Sequence, residues 1–254
     1  AATAVGGAAF APVVDTIAAT LADRAGPLDL ILAENIHGAA ERARERLRRG
    51  GLSDEAIAEK IGLVETSIGK MVPIMPEEVR REDPLLCWAE PYNTLIVDAD
   101  AFRNPLPRAA DLKPVSPIGP WVDRKLYIHN MGHAAAAYLG YQRNRHATYI
   151  WQLLDDEATR VRTAAAMERS AEALARRYPQ VFALRDLRDH VEDLLHRFAN
   201  RALGDTVYRV GRDLPRKLRR DDRIVGAIEL ALRVDLDPSP IAAAFHAAPY
   251  FRAR

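Results

Sequence analysis

The stretch Asp123-Arg-Lys-Leu-Tyr-Ile-His-Asn-Met-Gly-His-Ala-Ala-Ala-Ala-Tyr-Leu-Gly140 decides how the C-terminal half of this chain is read. Taken as a helix at about 100° per residue, it sets Lys125, Asn130 and His133 at about 0°, 140° and 80°. All three then fall on one side, with Asn130 and His133 one turn apart. A lysine, an amide and an imidazole on one face can take a proton, stabilise an alkoxide and orient a hydroxylated ligand. The same pattern also describes solvated Lys and His beside a packing face. Gly132 and the run Ala134 to Ala137 leave room for a backbone or a ligand to approach closely.

Downstream, almost everything reads as helix. The stretches Asp155 to Arg177 and Leu187 to Ala202 are rich in Ala, Leu, Arg and Glu and hold no Gly or Pro. Upstream, Pro105, Pro107, Pro114, Pro117 and Pro120 crowd residues 103 to 120, which predicts irregular structure and a domain boundary. Before them the pattern is α/β. Thr3 to Gly7 is a short apolar run, and Val13, Ile17 and Leu21 mark one face of a helix over Pro12 to Arg24. Leu28 to Ala33 reads as a buried parallel-type strand. A helix follows to Arg49, stopped by Gly50-Gly51, and Ser53 can cap the next one. Leu63-Val64, Met71-Val72 and Tyr92 to Asp98 are further strand pieces. The expectation is a mainly α protein, with an α/β domain over residues 1–115 and an all-helical domain over 116–254.

The chain has 254 residues, with Lys+Arg 36 against Asp+Glu 35 and 28% charged residues. Near neutrality removes the global argument for a nucleic-acid or membrane-surface partner. Cys87 is the single cysteine, and no Cys/His cluster suggests a metal, so none is expected. No apolar run approaches the roughly 18 residues of a membrane helix, which points to a soluble, cytoplasmic protein. The sequence opens Ala1-Ala2-Thr3, without an initiator Met, so it is expected to be part of a longer gene product.

Two further features bear on chemistry. Asn35 directly follows the strand at Leu28 to Ala33, at the carboxyl end where open α/β sheets take up ligands. It could equally be a helix N-cap. Between Arg197 and Arg223 stand nine Arg or Lys against four Asp, a local +5. Gly211 and Pro215 place Arg209, Arg212, Arg216 and Lys217 on or near a loop, suited to a phosphate or carboxylate. Solvated charge paired with Asp205, Asp213 and Asp221 is the alternative.

Together these stretches resemble the polyol-specific long-chain dehydrogenases, most closely the mannitol-1-phosphate 5-dehydrogenase branch. The matching residues are Ala33-Glu34-Asn35, Glu90-Pro-Tyr-Asn-Thr-Leu-Ile-Val-Asp98, the Lys125-x4-Asn130-x2-His133 signature, and Arg209-Val-Gly-Arg-Asp-x-Pro-Arg-Lys-Leu218 with Asp222-Arg223. The resemblance implies a zinc-independent, NAD-dependent oxidoreductase interconverting a sugar-alcohol phosphate and a ketose phosphate. Lys125 would be the general acid/base, Asn130 and Asn35 the amides that steady the carbonyl or alkoxide, and His133 the substrate-orienting imidazole. Asn35 would also border the cofactor. The phosphate role of Arg209, Arg212, Arg216 and Lys217 is inferred from their charge rather than from the resemblance.

The resemblance further implies a helical domain like the C-terminal domain of 6-phosphogluconate dehydrogenase, behind the back part of a truncated Rossmann-like domain. The family's Gly-x-Gly-x-x-Gly turn is not in this sequence, so on the order of 100 residues of the cofactor domain are expected to lie outside it. Where the family carries Asp-Arg this chain has Gly69-Lys70. A dehydrogenase of an unphosphorylated polyol or hexonate therefore stays open, as does a remnant that binds a sugar phosphate or a partner without catalysis. A monomer and a dimer are both compatible with the sequence.

Overall fold

The computed structural model describes residues 1–21 and 24–253. Five strands form one mixed sheet in the order β1-β2-β3-β4-β5: Ala2–Thr3, Leu28–Leu32, Ile61–Ile68, Leu95–Asp98 and Leu112–Val115. The first three run parallel, β4 is antiparallel to β3, and β5 is parallel to β4. In the first half the helices are α1 Gly7–Leu21, α2 Ala39–Arg49, α3 Asp54–Lys60 and α4 Glu77–Glu82. Then come α5 Gly119–Arg124, a π-helical segment Lys125–Asn130, α6 Met131–Arg143, α7 Ile150–Leu154 and α8 Glu157–Arg177. The last are α9 Leu184–Phe198, α10 Val207–Gly211, α11 Leu214–Lys217, α12 Val225–Arg233 and α13 Ser239–Ala247. None of the described helices is long and apolar enough to cross a membrane.

The backbone divides into two compact units: residues 1–69 with 92–122, and residues 70–91 with 123–254. The units interleave along the chain instead of following one another at residue 115. The proline-rich stretch belongs to the α/β unit, and residues 70–91 belong to the helical one.

In the α/β unit, α1 lies between β1 and β2, and α2 with α3 between β2 and β3. Phe10, Val14, Ala18 and Leu21 form the buried stripe of α1 and join Leu30, Leu32, Ala43 and Leu47 in one core. That stripe carries the helix back to Gly7, five residues before the expected start at Pro12. Pro12 therefore sits inside the helix, where its missing N–H leaves one turn unbonded. The expected end at Arg24 passes through residues 22–23, which lie outside the described residues. The Ser53 cap forms as expected, with its hydroxyl accepting from Ala56 N at 3.2 Å, and Gly51 takes φ 91° just past α2.

Two strand expectations fail. Met71-Val72 forms no strand. Conversely, Leu112–Val115 pairs with β4 although Pro114 lies within it. A proline cannot donate to a ladder but is tolerated on an edge strand, and β5 ends the sheet.

The helical unit is built around α6. Every residue from Met131 to Tyr141 is buried, and α8, α13, α10 and α7 pack against it. The small residues make this possible. A Cβ on Gly132 would stand 2.4 Å from Met167 Sδ, and one on Gly140 would stand 2.7 Å from Leu153 Cβ. The close approach foreseen at Gly132 is thus made by neighbouring helices of the chain itself.

Candidate active site

Lys125, Asn130 and His133 occupy one continuous helical rod, as expected, but its first turn has a different pitch. Lys125–Asn130 is π-helical and leads directly into α6. Hydrogen bonds from i to i+5 widen the turn, so Asn130 comes round toward the Lys125 side of the rod rather than standing about 140° away. Single π turns are rare and recur at functional sites. A periodicity argument with a fixed 3.6-residue turn has no means of finding one.

Protein surrounds Lys125, yet part of its side chain remains open to solvent. Burial, then the nearby Arg223 and Arg216 guanidiniums, depress its ammonium from 10.5 to about 8, against an opposing pull from Asp222. His133 is buried, and its imidazole lies flat against Phe198 of α9, with ring centroids 4.3 Å apart and planes 4° from parallel. Its Nε2 is 3.1 Å from Asp205 Oδ2, off the straight line of a hydrogen bond. Burial lowers its pKa, and Asp205 pulls the other way. Asn130 is half-buried.

A second imidazole, His129, was not singled out by spacing. It is buried 6.3 Å from His133 and meets the edge of Phe198 at 5.5 Å. Burial above all, then His133 and Lys125, hold it well below the ordinary histidine value. It therefore stays neutral at physiological pH.

The arginine-rich stretch is drawn to this same site. Arg223 and Arg216 lie within electrostatic reach of both Lys125 and Lys217. Its cations are already engaged, however. Arg209 forks onto Asp205. Arg216 pairs with Asp213 at 2.5 Å and approaches Asp222 at 3.6 Å. Lys217 is buried and donates from Nζ to the Val210 carbonyl at 2.6 Å. Burial and the flanking Arg223 and Arg216 bring Lys217 down to about 7. Arg212 is exposed, its guanidinium carbon 5.7 Å from the Tyr208 ring centre. Arg223 is itself buried and donates from Nε to Asp222 at 2.7 Å. The loop is held by the C-terminal Phe251, whose ring lies where a Cβ on Gly211 would be, and by Tyr138, which donates to the Gly211 carbonyl at 3.0 Å.

Across the helical unit, Glu90 joins residues 70–91 to α9. Its carboxylate accepts from Arg197 Nε at 2.8 Å and Nη2 at 2.5 Å, and from the Met71 N–H at 2.6 Å. Arg197 immediately precedes the Phe198 that covers His133.

In the α/β unit, Asn35 is exposed just past β2, at the strand's carboxyl end as expected. It does not cap α2, whose N-cap is Gly38 in the left-handed conformation. Glu34 beside it is buried and accepts from the Val5 and Gly6 N–H groups at 2.9 Å each. Its carboxylate closes the turn between β1 and α1.

Residues 117–253 match the mannitol dehydrogenase C-terminal domain. The chain belongs to the mannitol dehydrogenase family. The matched residues contain Lys125, Asn130, His133 and the whole 209–223 stretch. The chain is 31% identical to a mannitol-1-phosphate 5-dehydrogenase of Bacillus licheniformis over 94% of its own length and 63% of the relative's. It is 30% identical to that of Brevibacillus brevis over 98% of this chain and 64% of the relative. It therefore spans less than two thirds of these relatives. Its fold is that of Pseudomonas fluorescens mannitol 2-dehydrogenase, solved with NAD and D-mannitol, at a TM-score of 0.74 and 18% identity, covering 94% of this chain and 50% of the other. A D-sorbitol dehydrogenase matches at a TM-score of 0.73 and 16% identity, covering 94% and 51%.

Proposed function

We propose that this chain is the catalytic part of a zinc-independent, NAD-dependent polyol dehydrogenase, interconverting a sugar-alcohol phosphate and a ketose phosphate of the mannitol 1-phosphate/fructose 6-phosphate type. The observation that carries this reading is Lys125. It heads a π turn inside the family-matched helix, with its pKa brought to about 8 by burial and neighbouring guanidiniums. A lysine so adjusted can exchange a proton near neutrality. Lys217 is similarly depressed but spends its Nζ on the Val210 carbonyl.

In the oxidation direction, neutral Lys125 Nζ accepts the proton of the reacting hydroxyl. The Asn130 amide donates a hydrogen bond to the developing alkoxide or carbonyl oxygen, and His133 orients a further hydroxyl. NAD, when bound, supplies the hydride acceptor. Within this chain the cofactor is offered Asn35 at a strand end, an assignment carried by family resemblance alone. Glu34 is committed to the Val5 and Gly6 N–H groups, and the sequence holds no Gly-x-Gly-x-x-Gly turn. These residues do not fit the pyrophosphate of a dinucleotide.

In this reading the helical unit corresponds to a substrate domain like the C-terminal domain of 6-phosphogluconate dehydrogenase. The parallel strands β1 to β3 with their helices correspond to the back part of a Rossmann-like domain, and the protein works in the cytoplasm. Arg212 and Arg216, the more exposed of the four cations, are the first candidates for a phosphate, with Arg209 and Lys217 behind them. A second reading, a dehydrogenase of an unphosphorylated polyol, is favoured by the carboxylate and carbonyl partners that Arg209, Arg216 and Lys217 already have.

Steady-state kinetics of the full-length protein separate the two. Reduction of fructose 6-phosphate with NADH is expected, with Arg212→Ala raising KM for phosphorylated substrates more than for plain polyols. Equal losses would overturn the phosphate assignment. Absence of turnover with every polyol and polyol phosphate tried would overturn the dehydrogenase itself.

A further inference from the structure

We propose that Asp205 is a positioning residue: its single buried carboxylate holds the Arg209 guanidinium and the His133 ring together, fixing the imidazole proton on Nε2. The mechanistic consequence rests on the dehydrogenase reading above, whereas the geometry does not.

The backbone around Asp205 is immobilised first. Gly204 turns the chain at φ 63°. The Asp205 carbonyl accepts from Ile150 N at 2.9 Å, and the Thr148 carbonyl accepts from Val207 N at 2.9 Å, on either side of a Tyr149–Thr206 bridge. Thr206 caps α10 by accepting from Arg209 N at 3.2 Å, so Asp205 and Arg209 stand one turn apart. The Asp205 side chain is 3% exposed. Arg209 takes both of its oxygens. Oδ2 also lies 3.1 Å from His133 Nε2, off the straight line of a hydrogen bond but the nearest anion to the ring among the described residues. Burial favours the neutral acid, but His133 and Arg209 outweigh it and hold the carboxyl at about 2.

The ring has little freedom to turn away. Phe198 covers one face, and α9 is anchored next door by the Arg197–Glu90 pair. A neutral imidazole carries one N–H and one lone pair, and an adjacent anion draws the N–H to its own side. Asp205 thus leaves Nδ1 as the acceptor, while burial, working against the pull of Asp205, keeps the imidazole neutral. A hydroxyl proton is what that acceptor can receive. The same carboxylate ties the Lys125–His133 rod to the arginine loop, so both are set by one group. Arg209 itself serves as the counter-ion that makes a buried carboxylate tolerable.

Two measurements on the full-length protein test this, the first without any substrate. Nitrogen-15 and carbon-13 histidine spectra are expected to report His133 as the neutral Nε2–H tautomer in the native protein. Loss of that preference is expected in Asp205→Asn, whose amide can present a donor instead. An Nδ1–H tautomer in the native protein, or unchanged spectra in the variant, would overturn the proposal whatever the enzyme's substrate. The second is a double-mutant cycle. Asp205→Asn is expected to lower kcat/KM by about 10- to 100-fold, by analogy with loss of the partner that orients a metal-bound histidine. Most of that loss should vanish in a His133→Ala background, because an effect routed through the imidazole needs the imidazole. Full additivity would refute the route. Native tautomer data as expected, combined with an enzyme inactive on all polyols, would retain the positioning role and reject the dehydrogenase reading.

Discussion

The two compact units use their buried and half-buried polar side chains differently. In the α/β unit they are spent on backbone. Glu34 receives the Val5 and Gly6 N–H groups, Asp29 receives those of Arg103 and Asn104, Glu65 receives that of Ala39, and Thr66 donates to the Leu32 carbonyl. In the helical unit the charges chiefly meet one another, Glu90 with Arg197, Asp205 with Arg209 and His133, Asp222 with Arg223, although Glu90 and Lys217 also engage backbone. A carboxylate that closes a turn makes a strand end rigid and leaves no reactive group. A cluster of mutually dependent charges shifts proton affinities, and the depressed lysines Lys125 and Lys217 both lie in it.

The contrast can be broken first at Lys125. Lys125→Ala is expected to lower kcat by about 10²- to 10⁴-fold, the typical weight of a general acid/base. Its melting temperature should stay close to that of the native protein, because a half-buried depressed cation is removed rather than a core contact. Turnover within a few-fold of native would remove Lys125 from its role.

Next comes the buried pair. Glu90→Gln leaves the buried Arg197 with only the exposed Asp193 as counter-charge and should destabilise the protein by about 3–5 kcal/mol in urea titrations. A loss under about 1 kcal/mol would mean that the helical unit does not depend on internal ion pairs. The matching change in the other unit is Glu34→Gln, which keeps one acceptor oxygen for two N–H groups. About 1–3 kcal/mol is expected there, the cost of one buried donor left unsatisfied. Were Glu34→Gln the costlier of the two, the contrast between the units would be reversed.

The smallest and sharpest effect is in pH. Lys125 must be neutral to accept a proton, and its pKa lies near 8 instead of 10.5. The rate of alcohol oxidation is therefore expected to rise as pH increases through about 8, and ketose reduction, which needs the protonated form, to fall over the same range. An oxidation profile still climbing past pH 10 would mean that burial does not lower this lysine.

Much of the α/β unit could be read along the chain. β2, the Ser53 cap and the Gly50-Gly51 stop are local signals, set by a residue and its near neighbours. Pro12 and Pro114 misled because the penalty for a proline depends on its place in the finished structure, which the Phe10–Leu21 stripe and the sheet edge supply. In the site, Lys125, Asn130 and His133 lie within nine residues of one another and were visible together. Their partners were not. Asp205 is a ring contact away from His133 but 72 positions along the chain, and Glu90 meets Arg197 across 107.

Residue order alone placed Lys125, Asn130 and His133 on one helical rod, marked the Ser53 cap and the Gly50-Gly51 stop, and carried the family signature, because those depend on spacing and on local backbone preference. Only the tertiary structure decided that the rod opens with a π turn, that Arg209 and Lys217 are committed to a carboxylate and a carbonyl, and that Lys125 is a weak enough acid-base partner to act near neutrality. Each of those depends on what burial places beside a charge, and burial is settled by packing between segments far apart in the chain.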